Sequence, residues 1–116
     1  MHEFPVVQTL LRAALAAPPP GARLVQVRVL LGEAAGFEAD HLEETFARLA
    51  LGTPAEGARL EFVREALAAR CAQCGADFPS SSTALACPLC GSHQLTITAG
   101  QQVKFLAAIP AAPTAP

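Results

Sequence analysis

Four cysteines carry the clearest chemistry in this 116-residue chain, and the sequence contains no others. They form two C-x2-C pairs, Cys71 with Cys74 and Cys87 with Cys90, separated by twelve residues. Two thiolates on one tight turn can converge on a single metal ion, and a second such turn completes a tetrahedron. The spacing therefore predicts a closed, structural four-sulfur site in which we expect zinc, with no coordination position open for catalysis.

Two other interpretations of the cysteines follow from the same residues. A rubredoxin-type iron site uses the same four ligands; aromatic packing around the sulfurs would favour it, but only Phe78 lies nearby in the sequence. Four buried cysteines without a metal would be the structural interpretation, and the paired spacing disfavours it. Gly75 and Gly91 follow the two pairs, where a turn of this kind needs a residue that tolerates positive φ.

The start of the chain, Met1, His2 and Glu3, is a second candidate for metal chemistry. The α-amine, the His2 amide nitrogen and the His2 imidazole can chelate one ion in a plane, and the Glu3 amide or carboxylate can complete four-coordination. Ni(II) and Cu(II) prefer such square-planar or tetragonal ligation. Most N-terminal histidines are solvated and bind nothing, so the tripeptide alone is a weak indication. Pro5 lies beyond the chelate and cannot block it.

The two remaining histidines are expected to bind no metal. His41 falls in the second predicted helix and should face solvent. His93 follows the second cysteine pair, near a site that four cysteines already fill. The polar run from Ser80 to Thr83 is interpreted as a linker.

Charge and composition weigh against two competing functions. The net charge is −2, from 8 basic and 10 acidic residues, whereas a nucleic-acid-binding protein favours a basic face. Between Cys71 and Cys90 there is no Lys or Arg, which argues against a zinc-ribbon module that binds other proteins or nucleic acid. Because we find no nucleophile–base pair, carboxylate pair, phosphate-binding loop or open metal position, an enzyme is not expected either.

The compartment follows from what the sequence does not contain. No apolar run approaches the length of a membrane span, and the N-terminus lacks the pattern of an export signal. We therefore expect a cytoplasmic protein with no membrane partner. In the cytosol, paired C-x2-C sequences are more often metal ligands than disulfides.

Hydrophobic periodicity predicts two helices and three strands. The helices are expected at about 4–17 and 39–51, with Gly52 as the residue that ends the second, and the strands at about 23–31, 59–64 and 102–109. Pro18 to Gly21 should end the first helix. The expected buried stripes are Phe4, Val7, Leu11 and Ala14 in the first helix, widened by Val6, Leu10 and Leu15; Leu42, Phe46 and Leu49 in the second; and Val25, Val27, Val29 and Leu31 in the first strand.

This order of elements predicts an α+β fold. A small three-stranded sheet carries two helices, and a zinc-ribbon module is inserted before the last strand. The expected domains are an α/β domain at 1–69 and 96–109 and the zinc module at 70–95. Residues 110–116, rich in proline and alanine, should be a disordered tail.

Several segments together resemble the HypA/HybF family of nickel-insertion accessory proteins for nickel–iron (NiFe) hydrogenase. The resemblance covers residues 1 to about 109. It rests on the opening Met1-His2-Glu3, the strand from Val27 to Glu33 that ends in Gly-Glu, the loop from Gly52 to Leu60 that reads GTPAEGARL, and the two cysteine pairs. In both pairs the next residue is glycine rather than the histidine of some members, so we expect no exchange of cysteine for histidine ligands.

The resemblance implies a nickel metallochaperone rather than an enzyme. It implies Ni(II) as transported cargo, structural Zn(II), and two protein partners: a GTPase of the same maturation pathway and the hydrogenase large subunit that receives nickel. Some members also serve urease. Glu38 is considered as an additional acidic contact for nickel. The implied ligands are Met1 through its amine, His2 and Glu3 for nickel, and Cys71, Cys74, Cys87 and Cys90 for zinc.

Overall fold

The computed structural model describes residues 3–19, 21–80 and 85–111 of the chain. It confirms the predicted α+β class, with two helices, the expected three-stranded sheet and a second small sheet that carries the cysteines. The elements in chain order are α1 (Glu3–Ala16), β1 (Leu24–Gly32), α2 (Ala39–Leu49), β2 (Arg59–Glu65), β3 (Ala68–Cys71), β4 (Asp77–Pro79), β5 (Leu95–Ala99) and β6 (Val103–Pro110).

The two helices are amphipathic, and each buries one stripe of side chains. In α2, Leu42 and Phe46 are buried as predicted, while Leu49 is half-buried. In α1 the buried residues are Val7, Leu10 and Ala14, all of which belong to the predicted stripe. Phe4, predicted to be buried, is 47% exposed because it lies in the first turn, at the edge of the packed face.

The central strand of the larger sheet is β1, with β2 on one side and β6 on the other. Val27, Val29 and Leu31 are buried as the alternation predicts. Val25, predicted on the same face, is 46% exposed, and Leu24 is buried instead. The alternation therefore shifts by one residue near the start of the strand, which moves the first side chains to opposite faces.

The loop between α2 and β2 folds on itself through polar side chains. The helix α2 ends at Leu49 and its C-cap residue is Ala50. Gly52 (φ +78°) therefore lies one residue beyond the position that directly follows the cap. The Thr53 hydroxyl donates to the Ala50 carbonyl (2.7 Å) and accepts from the Ala55 N–H (3.1 Å). The Glu56 carboxylate accepts the Gly52 N–H at 2.7 Å. These hydrogen bonds show that most of the GTPAEGARL segment forms a tight loop.

A second sheet of three strands, in the order β4-β3-β5, holds the cysteine region together. The strand β3 pairs antiparallel with both neighbours, Arg70 facing Asp77 on one side and Thr96 on the other. The exposed Arg70 guanidinium forms an ion pair with Asp77 at 2.8 Å. These strands were not predicted from the sequence because they are only 4, 3 and 5 residues long.

Glycines allow three chain segments to meet at one end of this second sheet. A Cβ on Gly32 would lie 2.3 Å from the carbonyl carbon of Gly100, and a Cβ on Gly100 (φ +96°) would lie 2.6 Å from the Leu67 Cα. The Gly100 N–H donates to the Glu65 carboxylate at 2.8 Å, and the Gly100 carbonyl accepts from the Ala34 N–H at 2.7 Å. The backbones approach too closely for any larger residue.

The chain divides into two compact units. The first comprises Met1–Leu30, Phe37–Val63 and Lys104–Pro116; the second comprises Leu31–Gly36 and Arg64–Val103. The predicted assignment of 1–69 and 96–109 to nickel and of 70–95 to zinc stays a prediction.

The last residues differ in part from the predicted disordered tail. Pro110 ends β6, and the Ala111 N–H donates to the Arg23 carbonyl at 2.8 Å, so order continues past residue 109. Residues 112–116 lie outside the described part of the chain. Within that part, neither helix is long and apolar enough to cross a membrane.

Candidate metal centres

Two turns of the second unit, each built on one cysteine pair, have the same hydrogen-bonding pattern. In the first, the Gly75 N–H donates to the Cys71 carbonyl at 2.9 Å; in the second, the Gly91 N–H donates to the Cys87 carbonyl at 2.8 Å. Both glycines have positive φ, +75° and +74°, as predicted. Because φ is positive, any other residue at these positions would strain the turn.

The two turns bring the four sulfurs into one cluster. All four Sγ atoms lie within 4.8 Å of one another, with Cys71 to Cys90 at 3.5 Å and Cys74 to Cys87 at 3.6 Å. Tetrahedral zinc with bonds of about 2.3 Å would place its sulfur ligands about 3.8 Å apart. The donor set and its size therefore fit zinc, and the cluster indicates a structural zinc site.

Each turn contributes one buried and one exposed cysteine. Cys71 and Cys87 are buried, whereas Cys74 and Cys90 are exposed. The buried sulfurs accept backbone N–H groups, from Cys74 to Cys71 and from Leu89 to Cys87, both at 3.4 Å. Backbone donors of this kind stabilise a thiolate where water is excluded.

The thiols of the cluster influence one another's ionisation. The N–H of Cys74 lowers the pKa of Cys71 to about 6. For Cys90 the N–H of Ser92 acts in the same direction, but the Cys71 thiol, burial and the other thiols outweigh it and raise the pKa to about 12. Four neighbouring thiols do not all ionise unless a cation balances their charge, which is the behaviour of a metal site.

His93 lies beside the second turn without joining the sulfur cluster. It is exposed, and its Nδ1 lies 3.2 Å from the Leu85 carbonyl. That contact holds the ring in place, and the expectation that His93 binds no metal stays a prediction. Ser80 donates its backbone N–H to the Leu67 carbonyl at 2.9 Å. The rest of the predicted linker, residues 81–83, lies outside the described residues.

Of the predicted nickel ligands, the structure describes one. Met1 and His2 lie outside the described residues, and Glu3 is half-buried as the first residue of α1. The hydrogen bond from its own backbone N–H is the main cause that lowers the pKa of Glu3. The sequence thus places Glu3 at a helix start, where a carboxylate is favoured.

The packing of α1 on α2 places Glu3 at a polar cleft of about 260 Å³. The cleft is lined by Glu3, His41, Glu44, Thr45 and Arg48. This group was not predicted from the sequence because its residues come from two helices. The three-residue spacing of His41 and Glu44, which places them on one helix face, was the available signal. Glu38, the suggested acidic contact, is the N-cap residue of α2 and is exposed.

Comparisons with known proteins agree on one family. Residues 1–108 match the family described as HypA, hydrogenase/urease nickel incorporation, metallochaperone. A hydrogenase maturation factor HypA of Dehalococcoides mccartyi is 35% identical over 104 residues, covering 88% of this chain and 87% of that protein. The HypA of Chlorobaculum tepidum is 31% identical over 105 residues, 89% and 93% of the two chains.

Solved structures show the same fold. The solution structure of the Ni metallochaperone HypA from Helicobacter pylori superposes with a TM-score of 0.70, at 22% identity, and covers 96% of this chain and 98% of that one. Together with the family match over nearly the whole length, these similarities confirm the resemblance drawn from the sequence. The chain belongs to the HypA family of metallochaperones for hydrogenase and urease nickel incorporation.

Proposed function

We propose that this protein binds Ni(II) at its N-terminus and delivers it to the large subunit of NiFe hydrogenase during maturation. The ligands in this proposal are the Met1 amine, His2 and Glu3. The observation that carries it is the family match, which begins at residue 1 and therefore includes this tripeptide. Delivery requires a bound ion that can also be released, and a chelate at a chain end can reach an acceptor without unfolding a core.

The cysteines have a separate role in this proposal. Cys71, Cys74, Cys87 and Cys90 hold zinc permanently, and zinc organises the small sheet of the second unit. The sulfur cluster and its two matching turns support this assignment. Because four thiolates fill the coordination sphere of zinc, the site has no open position for a substrate, and we assign no catalytic role to it.

The partners follow from the same proposal. A GTPase of the maturation pathway acts together with this protein, and the hydrogenase large subunit receives the nickel. The work takes place in the cytoplasm, where the four cysteines remain available to a metal instead of forming disulfides. Nucleic acid is not a partner, since the net charge of −2 provides no general attraction for phosphate.

A nickel titration tests the proposal directly. The protein must carry its native, unblocked N-terminus and be loaded with zinc, so that the thiols do not compete for nickel. We expect one nickel to bind with micromolar or tighter affinity, and His2→Ala to abolish this binding. Equal binding by the variant and the wild type would show that the N-terminal tripeptide does not hold the ion.

A further inference from the structure

An apolar groove runs along the seam where α1 packs on α2, within the first unit. Its larger part is a cleft of about 340 Å³ lined by Gln8, Leu11, Arg12, Leu15 and Leu49. The three leucines are half-buried. A second cleft of about 230 Å³ continues from Leu49 to Phe4, which is 47% exposed. Because Leu49 lines both clefts, they form one continuous groove.

The apolar side chains that α1 contributes to this groove repeat with the period of a helix. Phe4, Leu11 and Leu15 are seven and four residues apart, which places them on one face. At 1.5 Å per residue this stripe is about 16 Å long, or three helical turns. Apolar side chains left exposed in a row mark a surface that binds another protein. A groove of this length between two helices fits a third helix with apolar side chains every three or four residues.

The charges beside the groove favour an acidic occupant. Arg12 is exposed at the groove wall, and none of the described residues forms an ion pair or hydrogen bond with it. On the other helix Arg48 is already paired with Glu44 at 3.0 Å. Arg12 is therefore the cation that is left for a partner. A second copy of this chain fits poorly, because two identical grooves placed face to face would oppose like charges and leave the hollow unfilled.

We propose that the groove between α1 and α2 is a docking site for an acidic amphipathic helix of a partner protein. The apolar side chains of that helix fill the space between Leu11, Leu15 and Leu49, and a carboxylate at the edge of its apolar face pairs with Arg12. The apolar contacts supply affinity and the charge pair fixes the orientation. This inference goes beyond the proposed function, because docking of the helix requires no nickel.

Titration with a synthetic helical peptide tests this docking site. The probe is a capped peptide of about four turns, with leucine at i, i+4, i+7 and i+11 and glutamate on both flanks; its counterpart carries lysine in place of each glutamate. Chemical shifts of the zinc-loaded, isotope-labelled protein give the dissociation constant and the residues contacted. The variants are Arg12→Glu, Leu15→Ala and the control Lys104→Glu, which makes the same change of net charge at an exposed position of β6. Far-UV circular dichroism verifies the fold of each variant.

We expect the acidic peptide to bind with a dissociation constant below about 1 mM and to shift the amides of α1 and α2. Arg12→Glu should weaken binding about tenfold, because the attraction is replaced by repulsion, and Leu15→Ala should weaken it through lost apolar contact. Lys104→Glu should bind like the wild type. The lysine peptide should bind Arg12→Glu more tightly than it binds the wild type.

Three results of the titration would overturn the inference: no binding of the acidic peptide, shifts confined to residues outside the two helices, or an equal loss for Lys104→Glu. Sedimentation of the peptide-free protein as a dimer that Arg12→Glu dissociates would also overturn it, since a second copy would then occupy the groove. Arg12→Glu leaves the proposed nickel ligands unchanged and should bind nickel like the wild type. Failure of peptide docking and failure of nickel binding are therefore distinguishable.

Discussion

Replacing Gly100 with alanine should destabilise the second unit far more than the same change at Gly36. Both glycines have positive φ, +96° and +83°, so each variant carries the cost of that backbone conformation, about 1–2 kcal/mol. At Gly36 nothing lies within 4 Å of a Cβ, whereas at Gly100 the Cβ would lie 2.6 Å from the Leu67 Cα and 2.9 Å from its nitrogen. Backbone atoms cannot rotate away, so the segments must separate, at an added cost of about 1–3 kcal/mol.

The expected loss in the free energy of unfolding is therefore about 2–5 kcal/mol for Gly100→Ala and about 1–2 kcal/mol for Gly36→Ala. Since about 1 kcal/mol corresponds to about 4 °C in Tm for a chain of this size, the midpoints should fall by about 8–20 °C and about 4–8 °C. Calorimetry of the zinc-loaded protein measures the midpoint temperature, and urea unfolding measures the free energy of unfolding. Equal losses would refute the overlap argument. Gly32→Ala isolates the overlap, because Gly32 has no positive φ and its Cβ would meet the Gly100 backbone.

Four further outcomes are expected. Thr53→Val should lower the free energy of unfolding by about 1–2 kcal/mol, because two hydrogen bonds of a half-buried hydroxyl are lost. Urea unfolding should show a smaller loss for the control Thr9→Val, because the hydrogen bond of the Thr9 hydroxyl is exposed to solvent. Zinc removal should collapse the amide resonances of the cysteine region to random-coil shifts and preserve the dispersed resonances of α1 and α2, and a collapse of both by NMR would contradict this independence. Nickel affinity should fall between about pH 8 and 6, because protons compete for the amine and imidazole; a flat profile from calorimetry would oppose an N-terminal chelate. The Arg70 guanidinium lowers the pKa of Asp77, so the stabilising effect of this pair should persist above the ordinary carboxyl pKa of about 4 and disappear as pH falls through the lowered value. Arg70→Ala should remove this part of the acid dependence of the free energy of unfolding. An unchanged pH profile of unfolding would show that the pair has no effect on stability.

Local patterns of the sequence predicted those parts of the fold that depend on near neighbours. The stripe of Leu42 and Phe46 and the alternation of Val27 and Val29 give regular elements because buried side chains repeat with the period of a helix or a strand. The spacing of the cysteines predicted that the two sulfurs of each pair lie close together, because a C-x2-C turn is a local structure. The exposure of Val25 was not predictable, because a shift of one residue in a strand leaves no mark in its composition.

Features that require two distant segments could not be predicted in this way. The cleft shared by Glu3 and His41 arises only when α1 packs on α2, and neither helix indicates which face of the other it will meet. The same holds for Gly32 and Gly100, whose backbones meet across 68 positions of the sequence. A glycine at the end of a strand is ordinarily explained by a turn, and only the fold shows that space is the reason here.

The division of each cysteine pair into one buried and one exposed residue has a consequence for zinc exchange. An oxidant or a competing chelator reaches Cys74 and Cys90, one in each turn, before it reaches Cys71 and Cys87. The first two zinc–sulfur bonds to break would thus belong to different turns, and each turn would keep a buried sulfur that a backbone N–H stabilises as thiolate. A half-released zinc would still bridge both turns, so the small sheet would keep its shape during exchange and lose it only with the last two ligands.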